Sequence, residues 1–288
     1  MTAISHPYFK IDENTWAFSE FGLSSMYLLT GTEKALLIDT GLGSGNLAKE
    51  IRNMTDLPLV TVITHGHIDH AGSAGFFDEV YISPNDIDLM KNTISTEKRR
   101  ISFRGSCARR SLPIPIDVEE TIGDWDHSPN LKFLQDRYMI DLGGRVIQAI
   151  SVPGHTKGSM EFLDRNNRIM FSGDACNINL VLAKPVPAGQ KFDPAAENAI
   201  AKYAASVKTY LSSLQLLKSF SDQFDRNYPG HLDDVNNIPE KNGLIDELIQ
   251  CCENIIAKGI PAGCHPNMPC REQAGRASIT YLPGRIDL

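Results

Sequence analysis

Val60-Thr-Val-Ile63, followed by Thr64-His65-Gly66-His67-Ile68-Asp69-His70, decides the reading of this chain. The first four residues form a mostly apolar, β-branched run of strand length. The next seven bring three imidazoles and a carboxylate, His65, His67, Asp69 and His70, into a span of six residues. No regular element presents that spacing on one face, because side chains share a face about every 3.6 residues in a helix and about every 2 in a strand. Gly66 adds backbone freedom. The segment therefore reads as a loop at the end of a strand that turns four potential metal ligands toward neighbouring cations.

The same device recurs further along. Val152-Pro-Gly-His155 and Tyr228-Pro-Gly-His231 each end a strand-like run with a Pro-Gly turn that projects an imidazole, and Asp174 in Phe171-Ser-Gly-Asp follows a strand through a glycine. A His-rich loop alone is ordinarily just surface. Separate segments repeating one arrangement are not.

The pattern HxHxDH, then His155, Asp174 and His231, resembles the metallo-β-lactamase superfamily over about Thr15 to His231. The resemblance implies that His65, His67 and His155 bind one ion, that Asp69, His70 and His231 bind a second, and that Asp174 bridges them. It further implies that Asp39, in Leu37-Ile-Asp-Thr-Gly, supports the metal loop from behind. Imidazole and carboxylate ligands without thiolates suit Zn²⁺ first and accommodate Fe or Mn. Two such ions about 3.5–4 Å apart lower the pKa of a shared water toward about 7, so a metal-bridging hydroxide is the expected nucleophile. Asp69 is the expected catalytic proton acceptor, since a ligand carboxylate beside the nucleophile keeps an oxygen for the proton.

Composition sets the outer bounds. A chain of 288 residues with 42% hydrophobic content can bury a large core, and no apolar run approaches the length of a membrane span. The start, Met1-Thr-Ala-Ile-Ser-His-Pro, lacks a basic, apolar and small-residue succession, so a cytoplasmic protein is expected. Six cysteines without a scaffold rhythm agree with reduced thiols. The 28 basic and 35 acidic residues give a formal charge of −7, which disfavours nucleic acid as a partner.

Strand and helix patterns alternate in the first half and a strand meander follows from Leu131, which suggests an α/β sandwich. With the resemblance, the expected fold is a four-layer αββα sandwich of two mixed sheets flanked by helices, carrying a helical insertion. One domain is expected over residues 1–288, with an insertion or lid at 86–130 and a C-terminal helix and strand extension at 232–288. Helices are expected after His70 through Phe77, over Ala195–Phe220 and over Leu244–Lys258, and Ala277-Ser-Ile-Thr-Tyr reads as a last strand at a sheet edge.

Three other features carry less weight. Thr40-Gly41-Leu-Gly43-Ser-Gly45-Asn46 lies between a strand and a helix but lacks both the third glycine of a dinucleotide loop and the Lys-Ser/Thr of a phosphate loop, so it reads as a tight turn. Lys98, Arg99, Arg100, Arg104, Arg109 and Arg110 read as a solvated helical face, or as a grip on an anionic substrate if the insertion folds over the metals. Cys264-His265 with Cys270 has no second ligand pair and reads as incidental.

The expected activity is metal-dependent hydrolysis of a small, in some cases anionic, ester, thioester or lactone, in the glyoxalase II and lactonase-like branch, with homodimer formation an open expectation. The alternatives are an iron-dependent, persulfide dioxygenase-like oxidoreductase and a ribonuclease Z-like phosphodiesterase.

Overall fold

The computed structural model describes residues 5–110, 117–125, 127–232 and 243–287, without the side chains of residues 109 and 110. Leu112-Pro-Ile-Pro, read above as the irregular return of the insertion, lies outside the described residues. The chain divides into two compact units, one running to Gln148 and joined by the segment starting at Gly230, the other starting at Ala149.

The first unit contains β1 (Tyr8–Asp12), β2 (Thr15–Ser19), β3 (Ser25–Thr30), β4 (Ala35–Ile38), α1 (Leu47–Met54), β5 (Leu59–Val62), α2 (Ile68–Ala71), β6 (Glu79–Ile82), α3 (Ile87–Thr93), α4 (Thr96–Arg110), α5 (Val118–Thr121), β7 (Asn130–Phe133) and β8 (Met139–Asp141). Strands β1 to β7 form one sheet in sequence order. Neighbours from β1 to β4 are antiparallel, and from β4 to β7 parallel. The change falls where α1 supplies the crossover that a parallel pair needs. Asn46 caps α1 by accepting the Lys49 amide at 2.9 Å, and the helix buries Leu47 and Ile51. These side chains join Leu28, Leu37, Ile63 and Val80 in the core of this unit.

The parallel pairing of β4 with β5, which sets Ile38 opposite Val62, brings the carboxyl ends of the two strands side by side. Asp39 leaves one end and Thr64 the other, which is where α/β sheets place their chemistry. The helix expected after His70 through Phe77 does not form as one element: α2 ends at Ala71 and a separate 3₁₀ turn covers Ala74–Phe76. Gly72 accounts for the break, because its amide bonds the Gly41 carbonyl at 2.7 Å rather than continuing a helix.

The division between units falls within β9 (Val146–Ser151), whose first residues pair antiparallel with β8. The second unit continues with β10 (Met160–Asp164), β11 (Ile169–Gly173), β12 (Asn179–Val181), α6 (Val207–Lys218), β13 (Arg226–Pro229), α7 (Gly243–Lys258), β14 (Cys270–Ala274) and β15 (Ala277–Tyr281). One sheet of this unit orders its strands β13-β11-β10-β9, and a smaller one β12-β15-β14. The tail strand β15 is therefore central in its sheet rather than at an edge. Its core joins Ile150, Leu163, Tyr210, Leu214, Leu248 and Ile279.

Only the second half of the helix expected over Ala195–Phe220 forms. Ser206 caps α6 by accepting the Thr209 amide at 3.1 Å. The preceding residues are turns whose backbone serves another segment: Ala205 donates to the Gly154 carbonyl and Tyr203 accepts from Lys157, each at 2.8 Å. Among the described residues, no helix is long and apolar enough to cross a membrane.

Candidate metal centre

Asp39 is the anchor of the histidine loop. It is 1% exposed and holds a left-handed backbone, φ 63°, which aspartate tolerates better than most residues. Its Oδ1 accepts the Thr64 amide at 2.7 Å, and its Oδ2 accepts the Thr64 hydroxyl and His70 Nδ1, both at 2.8 Å. Thr40 adds a bond from its amide to the His70 carbonyl at 2.7 Å. One carboxylate thus fixes where the loop leaves β5 and how the His70 ring is turned, with Nδ1 donating and Nε2 left as the lone-pair nitrogen.

The remaining candidate ligands of the first unit gather around that ring. Asp69 Oδ2 lies 3.9 Å from His70 Nε2 and 3.7 Å from His231 Nε2, and ligand atoms of these three residues all stand within 4.8 Å of one another. The His65 ring centroid is 4.9 Å from that of His67 and 4.2 Å from that of His70. His231 is placed by β3 although it lies far along the chain: Ser25 donates its amide to the Gly230 carbonyl at 2.8 Å and accepts the Leu232 amide on its hydroxyl at 3.1 Å.

The second unit repeats the logic. His155 Nδ1 donates to the Val181 carbonyl at 2.6 Å, and its Nε2 stands 3.5 Å from Asp174 Oδ2. Asp174 Oδ1 accepts from the Asn177 amide nitrogen at 3.1 Å. Nitrogen-to-oxygen separations of 3.5, 3.7 and 3.9 Å are long for hydrogen bonds. Ligands about 2.0–2.1 Å from a tetrahedral ion lie about 3.3–3.4 Å apart, so the donor set and its spacing fit divalent cations with modest contraction.

Two buried carboxylates that sequence reasoning did not single out complete the support. Asp86, 0% exposed, accepts the Gly66 amide at 2.8 Å. Glu20, equally buried, accepts the amides of Leu42, Gly43 and Ser44 and the Ser44 hydroxyl. The glycine-rich run at 40–46 is therefore an anion-binding nest already filled by the protein's own carboxylate. The run of small residues signals amides in want of an acceptor, but nothing local says that residue 20 supplies it.

The basic cluster differs from a solvated face at its centre. Arg99 is 0% exposed, stacks near Trp125 at 5.7 Å, and donates to the Gly123 carbonyl at 2.7 Å. Burial lowers its pKa to about 10, so it stays charged at neutral pH. Arg104 pairs with Glu119, and Arg100 donates to the Ile122 carbonyl at 3.0 Å, so these side chains fasten α4 to α5. Cys264 and Cys270 approach to 3.9 Å between sulfurs, but His265 Nδ1 is occupied by the Asn267 amide, and burial followed by the neighbouring thiol pushes Cys270 up to about 11. Cys270 therefore offers no thiolate at neutral pH. Cys176 is a core residue, 2% exposed, of the second unit.

The family model described as the metallo-beta-lactamase superfamily matches residues 20–222, more than half of the chain. The chain belongs to the metallo-beta-lactamase superfamily. Among curated members of the wider relationship, it is 29% identical over 163 residues to the human acyl-coenzyme A thioesterase MBLAC2, covering 52% of this chain and 57% of that protein. It is 28% identical over 146 residues to the hydroxyacylglutathione hydrolase GloC of Haemophilus influenzae, covering 49% of this chain and 61% of that one. The chain thus spans less than two thirds of the length of either relative. A metallo-beta-lactamase from Pontibacter korlensis superposes with TM-score 0.56 at 20% identity, over 87% of this chain and 100% of that one. The sec-alkylsulfatase Pisa1 from Pseudomonas sp. superposes with TM-score 0.62 at 13% identity, over 88% of this chain and 42% of that one. These likenesses establish the superfamily's mixed α/β fold, as expected from the histidine loop and the alternation of strands and helices.

Proposed function

We propose that the chain is a metal-dependent hydrolase of small thioesters and esters, in which His65, His67 and His155 hold one ion, Asp69, His70 and His231 a second, and Asp174 both. The observation that carries the reading is the convergence of Asp69, His70 and His231 within 4.8 Å, with His70 turned by Asp39 so that Nε2 faces the group. Two divalent ions, Zn²⁺ first by ligand type, would supply Lewis acidity and a hydroxide nucleophile from water at neutral pH.

The protein's own groups do the rest. Asp69 keeps a carboxylate oxygen for the proton released as the nucleophile attacks the carbonyl carbon. Asp39 and the Val181 carbonyl hold His70 and His155 in the tautomer that leaves Nε2 for a metal. Asn177 steadies Asp174. No serine or cysteine nucleophile enters the reaction. Thioesters rank first among substrates because the MBLAC2 and GloC names describe thioester hydrolysis.

A substrate panel tests this reading: acyl-coenzyme A, acylglutathione, a simple aryl ester, a lactone and a phosphodiester, each with metal-loaded and chelated protein. The expectation is thioester turnover that chelation abolishes. Phosphodiester turnover alone, or thioester turnover indifferent to chelation, contradicts it.

A further inference from the structure

Asp86 occupies the position before α3, where an aspartate ordinarily caps its own helix by accepting an amide of the first turn, a contact worth about 1 kcal/mol. Here its side chain makes no such bond. The carboxylate turns away from α3, and its Oδ2 accepts the Gly66 amide at 2.8 Å. Gly66 stands between His65 and His67, so the forfeited cap is spent on the peptide that links two ligands.

The rest of α3 backs the same peptide. A side-chain carbon built on Gly66 would lie 2.6 Å from the Asp86 carbonyl oxygen and 3.0 Å from the Met90 amide, so only glycine permits the approach. Thr93, at the far end of the helix, adds a long contact from its hydroxyl to the Gly66 carbonyl at 3.4 Å. Asp86 is 0% exposed, and a buried carboxylate is costly unless donors or positive charge answer it. A cation held by the two flanking imidazoles would provide such charge.

We propose that Asp86 is a positioning residue for the ion held by His65 and His67, setting the separation of the two rings through Gly66 and adding negative charge behind them. The inference rests on the metal-centre reading above. It also assigns the start of the 86–130 segment a fixed role under the loop in place of a movable cover.

The test compares parent, Asp86→Asn and Asp86→Ala proteins. Zn²⁺ affinities are read by competition with a chromophoric chelator, ligand geometry by the visible spectrum of the Co²⁺-loaded protein, and folding by the thermal midpoint of the metal-free chain. Outer partners of metal ligands are worth roughly 10–100-fold in affinity. Asp86→Ala should weaken one of two ions by about 100-fold and shift the Co²⁺ spectrum, and Asp86→Asn, which keeps an acceptor and the shape, by about tenfold. The ion assigned to Asp69, His70 and His231 should keep its affinity. Should Asp86→Ala fail to fold, the isosteric Asp86→Asn decides alone. Variants that bind both ions within about threefold of the parent, or lose both in equal measure, overturn the assignment. A parent that binds no metal at all overturns instead the reading on which it rests.

Discussion

Glu161 shows what a single buried group demands. It lies in β10 at 1% exposure, its Oε1 finds no hydrogen-bond partner among the described residues, and burial raises its pKa well above the usual carboxylate value. The unfolded chain releases this proton near pH 4.3, whereas the folded chain keeps it to much higher pH, so the native state loses stability as pH rises between the two values, by about 1.4 kcal/mol per unit. Glu161→Gln removes the titration. Its gain in thermal midpoint over the parent should therefore grow from pH 5 to pH 7, measured by thermal melts of both proteins in the same buffers. A difference independent of pH would show that the parent carboxyl titrates alike in both states. At this scale the candidate ligands, and the groups they form, were legible in the sequence, because HxHxDH and the two Pro-Gly-His turns are local patterns. Asp86 and Glu20 were not. Each acts on an amide some twenty residues away in sequence, and only the folded chain makes that contact.

The element scale explains why the His155 turn has its shape. Pro153, Gly154 and Lys157 are each bonded to the α6 region: Ser213 donates to the Pro153 carbonyl at 2.8 Å, and Ala205 and Tyr203 engage the Gly154 carbonyl and the Lys157 amide. A side-chain carbon on Gly154 would sit 2.2 Å from the Tyr210 ring, which is itself fixed by its hydroxyl bond to the Ala175 carbonyl at 2.6 Å. Gly154→Ala should accordingly push the turn off α6, lower bound metal by about one equivalent and cost the 1–3 kcal/mol typical of overpacking. Additional replacement of Tyr210 by Leu should restore metal binding in part, as read by metal content and thermal midpoint. No recovery in the double variant would place the effect elsewhere. This arrangement also shows where sequence periodicity misled. The apolar spacing over Ala195–Phe220 suits one helix, but Ser206 caps a later start, and the residues before it spend their backbone bonds on the turn. Strands β1, β12 and β14 escaped notice for a different reason: they are short and partly exposed, so no clean alternation marks them.

For the whole molecule, the fold class was legible because the histidine loop follows a strand and strands alternate with helices around it, and β4 and β5 do run side by side with Asp39 at the shared end. The third sheet was not, since β12 and β15 are separated by about a hundred residues and pair only in the folded chain. The central claim is that His65, His67, Asp69, His70, His155, Asp174 and His231 together hold two divalent ions. Elemental analysis of the purified protein, taken with its His231→Ala variant, tests it most directly. The account predicts two equivalents of metal per chain in the parent and one in the variant; a parent that carries none after incubation with Zn²⁺, or a variant that keeps both, would contradict it.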